Sequence, residues 1–346
     1  MIRKTLFGFV LSMAIAILPA HSEIKFPGAE WERVAGEEAA QWEQKLADAK
    51  ALFEKNGGSA AMIVKEGVVI ADWGQTSGVF NIHSVRKSLL SGLIGIAVAR
   101  GQIDLSKTMA DLGIDDNDPA LSEEEKKATV HDLLKARSGI YHPALYESES
   151  MKKRRPERHS HAPGTFWYYN NWDFNALGTI YEMCTKTSIF DAFEKEIAQP
   201  LQMEDYFPSC GSYVTGPDSI HRAYPFRMSA RDLARFGLLY LSEGRWKDKQ
   251  IIPAQWVRDS VKPYSTTHEN RGYGYMWWLN TNADGVAPDG VPDAYHAAGV
   301  GGQMVWVSPS LKLVIVHRVD VNNPQAKRVS GSQLREWVDV IVKSIQ

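Results

Sequence analysis

Ser84 and Lys87 stand three residues apart at the start of a strongly apolar segment, SVRKSLLSGLIGIAVAR, which ends at Gly101. An apolar run of this length predicts a buried helix rather than a strand. Because residues three apart share one face of a helix, Lys87 is expected beside the Ser84 hydroxyl. A serine hydroxyl needs a neighbouring base to act as a nucleophile. The pair therefore predicts attack by Ser84 on a carbonyl carbon, with an uncharged Lys87 as the base.

The Ser-x-x-Lys pattern has a simpler alternative, in which Ser84 only caps the helix and Lys87 lies in solvent. The buried character of the following residues favours catalysis over capping. A nucleophile at a helix N-terminus also has its own backbone N–H available to a developing oxyanion.

A second candidate segment is PGTFWYYNN, residues 163–171, which predicts an aromatic loop before a helix that begins at Trp172. A Tyr169 hydroxyl near Lys87 would relay a proton to the leaving group. Asn171 would donate a hydrogen bond to a substrate amide. The alternative is an aromatic loop that simply packs on the core.

A third candidate segment is YHAAGVGGQ, residues 295–303, in a predicted strand region. Glycine in a strand indicates close approach to the backbone, so Gly299 is expected to face the substrate, with the Val300 N–H as a second oxyanion donor. A β-bulge or tight packing would explain the same glycines.

The elements that must position these residues are strands at both ends of the chain and helices in the middle. The predicted strands are residues 60–65, 68–73, 273–279, 301–309 and 312–320. The predicted helices are residues 37–55, 84–100, 130–136, 172–186, 229–242 and 333–345. This order predicts an α/β (α+β) fold, with one lobe built from residues 23–103 and 264–346 and a helical lobe from residues 104–263. The site is expected in the cleft between the lobes.

Residues 1–22 have a basic start, an apolar run and small residues at the end, which predicts a secretory signal peptide and a periplasmic or secreted chain 23–346. A retained membrane anchor is the alternative. The net charge of -2 gives no sign of a nucleic-acid partner. The two cysteines, Cys184 and Cys210, are either a disulfide or two buried small side chains. No cofactor is predicted, and His159 and His161 lack the partners expected of a metal site.

In chain order these segments resemble the serine β-lactamase and penicillin-binding-protein superfamily. The likeness is greatest to its class C-like branch, which includes esterases, D-aminopeptidases and 6-aminohexanoate-dimer hydrolases. The matching segments are SVRKSLLSGLIGIAV, VHDLLKARSGI, PGTFWYYNNWDFNALG, MSARDLARFGLLYL and IIPAQWV. The resemblance implies an antiparallel sheet flanked by helices, with Tyr169 and Asn171 as its Tyr-x-Asn pair.

The chain departs from this family at the last strand, where many relatives have Lys-Thr-Gly or His-Thr-Gly. Alignment on Gly299 leaves Ala297 at the cationic position, whereas alignment on Gly301 and Gly302 leaves His296 there. The missing lysine and threonine favour esters or amides of less acidic small molecules. The alternatives are a β-lactamase, a D-alanyl-D-alanine carboxypeptidase, or a penicillin-binding sensor that does not turn over.

Overall fold

The computed structural model describes residues 24–288 and 290–346. The predicted signal peptide, residues 1–22, lies outside the described residues. Within the described part of the chain, every helix is too short or too polar to cross a bilayer.

One antiparallel sheet of eight strands forms the centre of the molecule, in the order β2-β1-β14-β13-β12-β11-β10-β9. Its strands are β1 Ala60–Lys65, β2 Val68–Gly74, β9 Ser265–Thr266, β10 Gly272–Tyr273, β11 Trp278–Leu279, β12 Tyr295–Gly299, β13 Gln303–Ser308 and β14 Leu313–Arg318. The six remaining strands form three two-stranded pairs: β3 Phe80–Asn81 with β6 Arg227–Met228, β4 Val214–Gly216 with β5 Ser219–Ala223, and β7 Arg245–Trp246 with β8 Lys249–Gln250.

Helices cover both faces of this sheet and form the middle of the chain, which confirms the predicted fold class. The α-helices are α1 Gly36–Lys45, α2 Ala47–Asn56, α3 Arg86–Ala99, α4 Met109–Leu112, α5 Val130–Leu134, α6 Glu149–Arg154, α7 Asn171–Thr185, α8 Ile189–Phe193, α9 Ala230–Leu241, α10 Ala254–Ser260 and α11 Gly331–Ile345. Three-residue 3₁₀ turns occupy His83–Val85, Glu125–Lys127 and Pro208–Cys210, and Glu194–Ala198 is a π-helical turn.

The sheet separates two hydrophobic cores, as the alternation along β1 shows. Met62 and Val64 face the core that contains α3, α7 and α9, whereas Ala61 and Ile63 face the core beneath α2 and α11. Side chains alternate between the two faces of a strand, so a strand buried on both sides is apolar throughout.

Three local predictions differ from the structure. The predicted helix 37–55 is interrupted at Leu46, and Ser84 lies in a 3₁₀ turn just before α3 rather than within the α-helix. The segment 273–279 is a tight hairpin between β10 and β11, not one strand. Cys184 and Cys210, both within the described residues, are unpaired.

Helix α9 belongs to the predicted helical segment 104–263 but packs on the sheet, against β1, β13 and β14. A Cβ on Gly237 would lie 2.5 Å from a methyl group of Val314, so glycine lets the helix come close to the strand. The helical segment therefore also covers part of one face of the sheet.

Candidate active site

The residues that precede α3 hold Ser84 at the edge of the cleft. His83 has a left-handed backbone with φ of 48°, which is uncommon outside glycine. Its N–H donates to the Asn81 side-chain oxygen at 2.8 Å. The chain then turns through His83–Val85 into α3, and the half-buried Ser84 lines the cleft. A strained conformation at this position fits a functional turn.

Lys87 lies beneath Ser84 and is 2% exposed. Its Nζ is 2.8 Å from Ser84 Oγ and 2.8 Å from the Tyr169 hydroxyl. Burial, and secondly the charge of the adjacent Arg86, hold the pKa of Lys87 well below its ordinary value. A buried amine with a lowered pKa is uncharged more often at neutral pH, so it can accept a proton.

Tyr169 comes immediately before α7, and the cap of that helix fixes its place. The Asn170 side-chain oxygen accepts from the Trp172 N–H at 3.2 Å, while its amide donates to the Ile140 carbonyl at 2.6 Å. Burial raises the pKa of Tyr169 to about 12, with a hydrogen bond to Ser84 and the Arg86 charge opposing the rise. The phenol is therefore protonated at neutral pH and suited to donate a proton.

The end of β12 lies against the Ser84 turn. A Cβ on Gly299 would lie 2.4 Å from the Ile82 carbonyl and 3.1 Å from the Ser84 nitrogen, so only glycine fits. The next residue, Val300, is 56% exposed and lines the cleft. By contrast, Gly301 and Gly302 have φ of 86° and 103° in the turn towards β13. Gly299, rather than this glycine pair, thus corresponds to the glycine beside the nucleophile.

The structure brings Ser84, Lys87, Tyr169, Asn171, Gly299 and Val300 together around one cleft, and it places His296 elsewhere. The side chain of His296 lines a neighbouring cavity beneath α11. The physical reason is the alternation along β12, which puts Ala297 in the main core and His296 on the opposite face. Of these two residues, only the buried Ala297 shares a face of β12 with Gly299.

Asn171 is 2% exposed, and its amide donates to the Tyr146 carbonyl at 2.8 Å. Its Oδ1 is buried and has no partner among the described residues. In this arrangement Asn171 also offers an acceptor, which would suit a substrate N–H, while donation to a substrate from its second amide N–H stays a prediction.

The cleft has a volume of about 1080 Å³ and is rich in aromatic side chains. These are Tyr146, Phe166, Trp167, Tyr168, Tyr169 and Trp278. Sequence reasoning missed Tyr146, whose ring stacks on His83 with centroids 6.2 Å apart. It also missed His83 itself, whose pKa burial lowers to about 4, with nearby Arg328 and Arg86 adding to the effect. Neither residue belongs to a spaced motif, so the sequence held no signal for them.

His159 and His161, which the sequence does not predict to be metal ligands, have other contacts, and so does His142. His142 and His159 lie 3.6 and 3.9 Å from Glu125, which also pairs with Arg158 at 2.7 Å. His161 stacks on Phe166. Within residues 24–288 and 290–346, three or more metal-binding side chains do not cluster anywhere.

Comparison with known proteins identifies the family of this fold and site. The family model described as Beta-lactamase matches residues 49–335. An uncharacterised protein of Alkalihalophilus pseudofirmus is 21% identical over 297 residues, which cover 77% of this chain and 84% of that protein.

Two solved structures share the fold at low identity. A provisionally assigned 6-aminohexanoate-dimer hydrolase from Bacillus anthracis has a TM-score of 0.65 and 21% identity, covering 86% of this chain and 81% of its own. A class C beta-lactamase has a TM-score of 0.65 and 17% identity, covering 91% of this chain and 99% of its own. From the family match over residues 49–335, the chain belongs to the beta-lactamase family and has the fold of its hydrolases.

Proposed function

We propose that this protein is an exported serine hydrolase that cleaves an ester or amide through a Ser84 acyl-enzyme. The observation that carries the proposal is the position of the buried Lys87 amine, 2.8 Å from both Ser84 Oγ and the Tyr169 hydroxyl. Export is supported by the signal-peptide pattern of residues 1–22.

In the first half-reaction Ser84 Oγ attacks the substrate carbonyl carbon, and its proton passes to Lys87 Nζ. The carbonyl oxygen becomes an oxyanion between the N–H groups of Ser84 and Val300, each donor contributing roughly 3–4 kcal/mol to the barrier reduction. The lowered pKa of Lys87 supports its role as the base, and the raised pKa of Tyr169 supports its role as the protonated relay.

When the tetrahedral intermediate collapses, the bond from carbonyl carbon to the leaving oxygen or nitrogen breaks. Tyr169 donates its proton to that leaving atom and is reprotonated from Lys87. Water then attacks the acyl-enzyme by the same route in reverse, which releases the acid and restores Ser84.

The substrate class follows from what lines the cleft. Ala297 stands in place of the cation that would hold a substrate carboxylate, and aromatic side chains form much of the walls, beside Arg137 and Arg154. These features favour esters or amides of less acidic substrates, as in an esterase or a 6-aminohexanoate-dimer hydrolase, over penicillins and D-alanyl peptides.

Ser84→Ala tests the proposal. We expect turnover of p-nitrophenyl acetate to fall at least about 10⁴-fold and labelling by a fluorophosphonate to disappear, with an unchanged circular dichroism spectrum. The matched control is Ser91→Ala, which removes another hydroxyl from α3 and should keep both activities. Undiminished turnover in Ser84→Ala would end the proposal.

The substrate class is tested separately by a panel of p-nitrophenyl esters, D-amino-acid amides, linear ω-amino-acid oligomers and nitrocefin. We expect turnover of the esters or the oligomers and little turnover of nitrocefin. A preference for nitrocefin would contradict the argument from Ala297.

A further inference from the structure

A second cavity, of about 520 Å³, lies between the outer face of the sheet and α11. Its size is in the range of small-molecule sites, and its lining is mainly apolar. The principal apolar side chains are Trp278, Met304, Trp306, Leu334, Val338 and Val342. The mechanism proposed above uses none of these except Trp278, a wall of the catalytic cleft.

This cavity adjoins the catalytic cleft, since Trp278, Ala298 and Glu269 line both. Strand β12 connects them: Gly299 lies against Ser84, Ala298 borders both spaces, and His296 lines the second cavity. Alternate residues of a strand share a face, so Ala298 and His296 form one continuous wall leading away from the nucleophile.

The edge of β12 along this wall is open next to the nucleophile. In the described strands, β11 pairs with Tyr295 and His296, and the pairing stops before Ala297. An acyl chain that begins at Ser84 can therefore follow the open edge of β12 from Gly299 to Ala297, as far as Trp278, without displacing a neighbouring strand.

Of the charged groups that line the second cavity, the Glu269–Arg335 pair faces water at its border, whereas Arg271 is buried. Arg335 of α11 pairs with Glu269 at 3.1 Å, and the two side chains are 46% and 50% exposed. Arg271, which also lines the cavity, donates to Asn280 at 2.6 Å. The apolar base between these groups suits a hydrocarbon chain better than a charged one.

We propose that the second cavity binds the aliphatic acyl chain of the substrate while the acyl carbonyl lies at Ser84. The inference rests on the proposed function and narrows it to hydrolysis of medium- and long-chain acyl esters or amides. Each additional methylene that leaves water should raise kcat/KM about fourfold until the cavity is full.

The test is a series of p-nitrophenyl esters from acetate to dodecanoate, assayed with the full chain and with Val338→Trp. In the unmodified protein kcat/KM should rise with chain length. Val338→Trp places an indole in the cavity, so the rise should disappear while acetate turnover stays within about twofold. Val342→Phe, on the same wall, should shorten the preferred chain and serves if Val338→Trp does not fold.

Glu336→Trp is the matched control, because it adds the same side chain to the exposed face of α11. It should keep the full dependence on chain length. A flat chain-length profile in the unmodified protein, or an unaltered rise in folded Val338→Trp, would overturn the inference. Failure of the proposed function is distinguishable, since it would abolish acetate turnover and fluorophosphonate labelling as well.

Discussion

At the reaction centre two adjacent basic residues, Arg86 and Lys87, are buried side by side. Arg86 is fully buried, and its guanidinium carbon lies 4.4 Å from the centre of the Tyr224 ring. Its guanidinium donates to the Asn175 side-chain oxygen at 3.4 Å, and among the described residues it forms no ion pair with a carboxylate. An unneutralised positive charge next to Lys87 disfavours protonation of the amine.

Replacing Arg86 by glutamine should therefore raise the pKa of Lys87. Since the base must be uncharged, the acid limb of kcat/KM should move to higher pH, and activity on that limb should fall several-fold while the plateau at high pH changes less. The measurement is a pH profile of p-nitrophenyl acetate hydrolysis.

Arg86→Lys keeps a cation and provides the comparison. Its acid limb of kcat/KM should lie at a pH nearer to that of the unmodified protein. If Arg86→Gln lowered the rate by one factor at every pH and left the limb in place, Arg86 would be a packing residue rather than an electrostatic one.

The chemistry-bearing residues were predictable because their spacing maps directly onto local structure. Ser84 and Lys87 are one turn apart, and Tyr169 precedes a helix that an asparagine caps. The position of His296 was not predictable, because its face depends on where β12 begins, and a shift of one residue moves a side chain to the opposite side of the sheet.

The nucleophile helix, α3, depends on two glycines that meet different neighbours. A Cβ on Gly95 would lie 2.3 Å from a ring carbon of Trp256, whereas a Cβ on Gly92 would lie 3.0 Å from the terminal methyl of Ile252. The indole belongs to α10 and is buried, so it cannot rotate away as readily as the end of an isoleucine side chain.

Gly95→Ala should therefore lower the free energy of unfolding by about 1–2 kcal/mol, because the cost of overpacking exceeds the gain in helix propensity. Gly92→Ala has the same gain with a smaller clash and should be within about 0.5 kcal/mol of the unmodified protein. Urea titration of the two variants measures the difference. Equal free energies of unfolding for the two variants would show that Trp256 of α10 is displaced as easily as the end of the Ile252 side chain.

Elements with a local pattern were predicted well, as the β1–β2 hairpin around Glu66 and Gly67 shows. The hairpin between β10 and β11 was not, since its signals are distant in sequence. Ser88 of α3 donates to the Met276 carbonyl at 2.7 Å, and the Tyr275 N–H donates to the Ser260 carbonyl at 3.0 Å. These contacts stabilise a turn within residues 273–279, although the aromatic sequence of this segment by itself predicts a strand.

Over the whole molecule, long-range contacts join the two predicted lobes. Arg137, from the helical segment, donates to Ser265 of β9 at 2.8 Å and to the Gly164 carbonyl at 2.9 Å. Arg318 of β14 is fully buried and donates to the Met228 carbonyl at 2.5 Å, which ties the sheet to β6 of the helical segment. The order of strands and helices along the chain could not reveal these contacts.

These contacts predict that the protein unfolds in a single cooperative transition rather than lobe by lobe. Helix α9 is amphipathic and covers β13 and β14, so loss of the helical segment 104–263 would expose the main core of the sheet. Far-UV circular dichroism and tryptophan fluorescence should therefore report the same urea midpoint, with Trp172 and Trp337 reporting from opposite cores. Two separated midpoints would contradict a single cooperative transition of the segment 104–263 and the sheet.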